Sequence, residues 1–341
     1  MLSVPITNEW IHGAVSLETI GQSIRPWRLP HNKLQLFREG LVDKSGESAG
    51  VRIAFTGNFG EKAGTGTKTG ATASTIDSVE LEVVPAEMDR QFDLVVDDRL
   101  VQTFTLQAGA ERCVFHPPAG ERFEIYLPQK SAVILRALYV DEASGIAPHR
   151  NDRLRWITYG SSITQCGAAA SPSLTWPAIV ARSKGWDLTC LGYGGQCHME
   201  PMVGRMIREL PADIISLCLG INVMSNTLNI KTFRSAIIGL IELIREKHVA
   251  TPIVVCSPIY CSYRETTENV VGMTLMLMRE EIREAVSILK AYGDSNLMYV
   301  DGLELFGEEF ASYLPDQLHP NAEGYQLMGE RMVTILTGLG L

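Results

Sequence analysis

The sequence predicts an α/β domain on a doubly wound, five-stranded parallel sheet, preceded by an all-β sandwich or jelly roll. Three observations predict it. Up to about residue 145, apolar and polar side chains alternate over short runs with no helical stretch between them, the mark of half-buried antiparallel strands. After Arg153 the rhythm changes to strand and helix in turn, which builds a parallel sheet covered on both faces. Where this second rhythm begins, Trp156-Ile157-Thr158-Tyr159 runs into Gly160-Ser161-Ser162-Ile163-Thr164, and a helix-compatible stretch starts near Leu174. Open α/β sheets place their chemistry at such breaks, beyond the carboxyl ends of the strands.

In the first half, strands are expected at residues 51–55, 79–83, 92–96, 100–106, 112–116, 123–127 and 133–140. Asp97-Asp98 between two of them reads as a tight hairpin turn, and Pro117-Pro118-Ala119-Gly120 as a second turn. Short strands in series without helices make a sandwich or jelly roll. Residues 57–74, rich in Gly, Thr, Ala and Lys, read as a loop. Walker spacing is missing and the surroundings are all β, so its glycines and lysines are not taken as a phosphate site. Trp27, within Pro26-Trp27-Arg28-Leu29-Pro30, is expected to pack on the sandwich rather than stack on a ligand.

Residues 144–153, with Gly145, Pro148 and mixed charges, read as a linker that divides the chain into 1–147 and 148–341. Beyond it, strands are expected at 187–191, 213–219, 252–256 and 297–300, and helices at 200–210, 232–247, 274–291 and 322–336. Phe233, Ile237, Leu240, Ile241 and Ile244 recur at helical spacing. Five strands joined by helices of this length fit a flavodoxin-like arrangement.

Composition bounds the function. The 341 residues are 45% hydrophobic and 20% charged, a globular balance with room for two cores. A formal net charge of −9 argues against nucleic acid, which calls for a basic stripe, and against an anionic membrane surface. The first 16 residues lack the basic start and apolar run of a secretory leader. Seven scattered cysteines, several inside apolar runs, are expected as buried free thiols. Together these features suggest a cytoplasmic protein. There is no C-x-x-C, and Cys197-His198 and Cys256/Cys261 are the nearest approaches to a ligand cluster. Neither a metal nor a cofactor is expected.

The Ser162 stretch, taken alone, reads as an ordinary βα turn in which serine caps a helix. Residues at the ends of the later strands give it weight. Gly192-Tyr193-Gly194-Gly195 comes after one strand and lets a backbone amide approach a ligand unobstructed. Gly220-Ile221-Asn222 comes after the next and offers a side-chain amide donor. Asp316-Gln317-Leu318-His319-Pro320 comes before the closing helix. Strand ends of one parallel sheet converge on one edge, so Ser162, Gly195, Asn222 and His319 can meet there. Acyl transfer needs such parts: a hydroxyl made nucleophilic by a base, a carboxylate to orient that base and donors for the oxyanion.

These blocks resemble the SGNH (GDSL-type) esterases and acylhydrolases over about residues 153 to 338. The resemblance puts Ser162 in the nucleophile position and makes Gly195 and Asn222 oxyanion donors beside the Ser162 N–H. It makes Asp316 and His319 the remaining triad members. Two positions depart from the pattern: Ser161 and Val223 stand where the family usually has Asp. The β half resembles the jelly-roll domain that precedes the catalytic domain in some carbohydrate esterases of this superfamily.

The expectation is a cofactor-independent serine esterase or deacetylase. Its substrate would be a short acyl, preferably acetyl, ester of a small polar molecule or oligosaccharide. A homo-oligomer is compatible with the sequence. Two rivals are a carbohydrate-binding protein with a silent catalytic domain and a lipase or thioesterase for longer chains. His198 is expected to contact substrate or cap the next helix, and Tyr260 or Arg264 to face substrate from the polar, aromatic loop 259–272. Met273, Met276 and Met278 are expected in core or interface.

Overall fold

Alternation over the first half does become antiparallel sheets. The computed structural model describes residues 1–57, 59, 78–140 and 145–341. The loop expected over 57–74 falls, but for Gly57 and Phe59, outside the described residues, as does Ser144 of the expected linker. The first strands are β1 (Leu2–Val4), β2 (Ile11–His12), β3 (Ser16–Ile20), β4 (Ser23–Trp27), β5 (Arg52–Thr56) and β6 (Val79–Val83). They continue with β7 (Arg90–Val96), β8 (Arg99–Leu106), β9 (Arg112–Phe115), β10 (Phe123–Tyr126), β11 (Leu135–Val140) and β12 (Ala147–Pro148).

One sheet runs β3-β4-β11-β6-β9 with β1 on β11, the other β12-β5-β10-β7-β8 with β2 on β5. Phe55, Phe92 and Phe123 of the second join Leu81, Phe115 and Leu138 of the first in one buried cluster, so the two sheets form a sandwich. At the β7–β8 turn Asp97 and Asp98 take φ of 47° and 66°, the left-handed pair that a two-residue hairpin demands. Trp27 is buried, its indole N–H donating to Glu18 at 2.8 Å with the Arg25 guanidinium 3.9 Å above the ring.

After β12 come β13 (Arg155–Gly160), β14 (Asp187–Gly192), β15 (Ile214–Cys218), β16 (Ile253–Cys256) and β17 (Leu297–Val300), all parallel, in the order β14-β13-β15-β16-β17. This is the flavodoxin-like order. The helices are α1 (Glu39–Ser45), α2 (Ser162–Gln165), α3 (Trp176–Lys184), α4 (Pro201–Glu209) and α5 (Phe233–Arg245), then α6 (Leu275–Ala291), α7 (Gly302–Leu305) and α8 (Ala322–Gly338). α3 packs on α8, while α4, α5 and α6 pack in series. Trp156 lies fully buried on β13 beside Trp176 and Trp186, its N–H donating to Ser216 at 2.9 Å. Burying one such ring removes enough apolar surface for about 4–6 kcal/mol of transfer free energy. Met273 and Met278 are core, but Met276 is exposed.

The chain divides into two compact units, and the division is not a single cut. The first holds Met1–His31, Gly46–Asp152 and Ser171–Ser173; the second holds Asn32–Ser45, Arg153–Ala170 and Leu174–Leu341. The sequence-based boundary at 147/148 thus lies a few residues early and misses two exchanged segments. Asp93 explains one. Its fully buried carboxylate accepts hydrogen bonds from the Thr103 hydroxyl at 2.7 Å, the Ser171 hydroxyl at 2.5 Å and the Ser173 N–H at 2.8 Å. The other is the stretch around α1, unexpected in an all-β half.

Two glycines fix how α2 meets the sheet. Gly160 and Gly192 are register partners at the ends of β13 and β14. A Cβ on Gly192 would overlap the Gln165 amide nitrogen and lie 2.6 Å from the Thr164 carbonyl carbon. Gly192→Ala is therefore expected to cost about 1–3 kcal/mol in urea unfolding. Gly239→Ala, in α5 with open space where its Cβ would go, should instead gain up to about 1 kcal/mol. Equal effects at the two sites would contradict this reading.

Candidate active site

In the order β14-β13-β15, the strands that follow β13 in sequence lie on opposite sides of it, and the crevice at such a switch point lies beyond the strand ends. Tyr159 ends the apolar run of β13, and Gly160 lets α2 start at once. Ser161 caps it, its side-chain oxygen accepting from the Ile163 N–H at 3.2 Å. The next residue, Ser162, then has its hydroxyl at the rim and its N–H in a first helical turn, where no intrahelical acceptor exists. Trp176 donates its indole N–H to the Ile163 carbonyl at 2.9 Å and holds the short helix down.

The Ser162 hydroxyl lies 2.8 Å from His319 Nε2, across 157 residues of sequence. His319 Nδ1 lies 2.6 Å from Asp316 Oδ2. Asp316 Oδ1 also accepts from the backbone N–H groups of Leu318 at 3.0 Å and His319 at 2.7 Å. Gln317 takes φ 63°, which closes the turn between them. Burial opposes charge on Asp316, but the His319 N–H, the His319 ring and the Leu318 N–H outweigh it and hold its carboxyl down at about 2. A charged carboxylate on Nδ1–H leaves Nε2 as the acceptor facing the hydroxyl. That arrangement can take a proton from Ser162.

The loop after β14 is held by two hydrogen bonds on either side of a left-handed glycine. The Gly194 N–H donates to Gln165 Oε1 at 2.7 Å. Gly195 takes φ 71°, a conformation that favours glycine. The Cys197 N–H donates to Asn222 Oδ1 at 2.9 Å. Because that oxygen is used, the Asn222 NH₂ is the end left to donate elsewhere. His198 lies with Nδ1 3.3 Å from the Thr227 hydroxyl. Burial pushes its pKa down against the pull of Glu200 and Gly195, and Arg38 adds to the lowering. The hydrogen bond its ring makes is thus to a threonine.

On the other flank, Tyr260 donates its hydroxyl to Glu308 at 3.1 Å, and the Arg264 guanidinium sits 5.0 Å from the Tyr263 ring centre. Neither is hydrogen-bonded to the Ser162–His319 pair. Sequence reasoning missed Ser262, whose hydroxyl donates to Gln317 at 3.2 Å and joins this loop to the Asp316–His319 turn. It also missed buried Arg279, which binds the Pro258 and Ile259 carbonyls and pairs with Glu265 at 2.6 Å. Gln165 and the stretch around α1 were missed as well. A buried arginine inside a helix pattern was a usable signal; the others carry none. Ser161, Ile163, Ile221, Pro258 and Ile259 help line a mostly apolar cavity of about 30 Å³.

A family model of GDSL-like lipases and acylhydrolases matches residues 154–337, and a model of the SsfX3 N-terminal domain matches residues 10–136. No curated protein matches the sequence. Among solved structures, the salicylyl-acyltransferase SsfX3 from a tetracycline biosynthetic pathway is 28% identical, covering 100% of this chain and 98% of that one at a TM-score of 0.88. A GDSL-like lipase from Bacteroides ovatus is 20% identical, covering 96% and 95% at 0.73. A family two carbohydrate esterase from Clostridium thermocellum, solved with cellohexaose, is 18% identical, covering 85% and 92% at 0.57. Since the first family model spans more than half of the 341 residues and includes the ends of β13 to β17, the chain belongs to the GDSL-like lipase/acylhydrolase family.

Proposed function

We propose that this protein is a serine esterase that removes a short acyl group, preferably acetyl, from a polar alcohol. The observation that carries the reading is the unbroken line from Ser162 through His319 to Asp316, at 2.8 and 2.6 Å. Ser162 Oγ attacks the ester carbonyl as His319 Nε2 takes its proton, a role typically worth 10²–10⁴-fold. The N–H groups of Ser162 and Gly195 and the Asn222 NH₂ receive the oxyanion; one such donor is worth on the order of 3 kcal/mol. His319 then protonates the departing alcohol, and water activated by the same imidazole releases the acid from the acyl-serine. The preference for acetyl rests on the resemblance to carbohydrate esterases, since the cavity of about 30 Å³ next to Ser161 is lined by neither Ser162 nor His319.

A second reading, acyl transfer to an alcohol in place of water, is favoured by the full-length likeness to the salicylyl-acyltransferase. The two share every step up to the acyl-serine and differ in what attacks it. Product analysis with a labelled ester, in water and with added alcohols, separates them by the fraction of label transferred.

Ser162→Ala is expected to lower kcat/KM for p-nitrophenyl acetate by about 1,000-fold or more with the melting temperature unchanged; equal turnover in both would remove the serine mechanism. From acetate to octanoate the wild-type rate should fall, and a rise would transfer the reading to a lipase. The folded pKa of Asp316 lies below its unfolded value. Its contribution is therefore present above about pH 4 and lost only as pH falls towards about 2. The pH profile of kcat/KM should accordingly show no Asp316 ionisation between about pH 4 and 8, while Asp316→Asn should lower kcat by about 100-fold or more across that range.

A further inference from the structure

We infer that one end of the β sandwich is a binding site of its own, in which Arg90 takes the carboxylate of a small hydroxy acid. It does not depend on the proposed esterase chemistry, because every residue concerned lies in the first unit. Side chains alternate in direction along a strand, and on β7 Phe92 and Leu94 belong to the core between the two sheets. Arg90, the first residue of β7, shares their face and is only 3% exposed. Its Nη2 donates to the carbonyl of Val84, the residue after β6 in the other sheet, at 2.8 Å. Its guanidinium carbon lies 5.9 Å from the centre of the Phe92 ring. A charge therefore stands where the strand pattern calls for an apolar side chain.

Among the described residues no carboxylate pairs with that charge. Arg52 and Arg279, comparably buried, each have one, Glu124 at 2.8 Å and Glu265 at 2.6 Å. Arg90 has a single hydrogen bond, to an uncharged carbonyl, for a group with five N–H donors. Burial pushes its pKa down; what opposes this is the Cys113 thiol, itself pushed up to about 12 and so uncharged near neutrality. A desolvated cation without a counter-ion is costly, and an entering anion offsets that cost. Arg90 also lines a cavity of about 250 Å³ with Asp89, Thr105 and Lys130, at the small end for ligand pockets. The guanidinium fork matches the two oxygens of a carboxylate. Two cations and one carboxylate line the cavity, a balance that favours a monoanion over a doubly charged phosphate. Asp89, whose Oδ1 accepts from the Ala108 N–H at 2.9 Å, and the exposed Thr105 offer partners to ligand hydroxyls.

The test titrates the full chain with D-glucuronate and with D-glucose, its neutral twin, and follows binding by ligand-observed NMR. Glucuronate should bind about tenfold tighter than glucose or better. Arg90→Met should abolish that difference, and Lys130→Gln should reduce it by about two- to fivefold. Circular dichroism checks that each variant folds. If Arg90→Met does not, Arg90→Lys decides in its place: it keeps the charge but not the fork, and should weaken glucuronate about fivefold while leaving glucose unchanged. Glucuronate that binds no tighter than glucose, or equally well to the wild type and the folded Arg90 variant, overturns the site. Inorganic phosphate that displaces glucuronate at lower concentration than acetate does overturns the assignment to a carboxylate.

Discussion

The absence of side chains at Gly160 and Gly192 is the constraint on which the rest of the site depends. These register partners let the backbone of α2 settle directly onto the ends of β13 and β14. That closeness puts Gln165 within 2.7 Å of the Gly194 N–H and sets Ser162 at the head of the helix. Through Gly194 it fixes Gly195, and through the Cys197 N–H it fixes Asn222. Groups supplied by three strand ends thus depend on one backbone contact. The imidazole is fixed separately, by the Asp316 turn and by Ser262 on Gln317.

The two departures from the family pattern have physical accounts. At 161, serine caps α2 as an aspartate would, but contributes no charge beside the nucleophile position. At 223, valine is fully buried, one residue after Asn222 in a short helical turn. A carboxylate there would have to give up its hydration, a cost that valine does not carry. Neither change touches the hydrogen bonds that join Ser162, His319 and Asp316.

Much of this was legible because the signals were local. Strong alternation gave the strands from Val79 to Val140, and the Asp97-Asp98 turn was readable from residues that tolerate positive φ. The glycine and asparagine at successive strand ends pointed to one rim because parallel strands share a direction. The features that were missed depend on tertiary context. β3 and β4 carry Glu18, Arg25 and Pro26, which blur the period. α1 is only seven residues long and makes sense only against Gln196. Gln165 and Ser262 are ordinary polar residues until their partners are known, and the exchanged segments cannot be seen in a linear reading at all.

The placement of α1 has a consequence for how the molecule is made. Leu41 is completely buried in the unit that also contains residues 153 onward. During synthesis from the amino end, Gly40 and Lys44 leave the ribosome some 150 residues before Gly194 and Gln196. At usual elongation rates that is roughly 10 to 30 s. For that interval a stretch that will later pack on Gly194 and Gln196 has nowhere to dock. The β half must emerge with Leu41 still uncovered, and it is in this window, rather than in the finished enzyme, that a chaperone would find the most to hold.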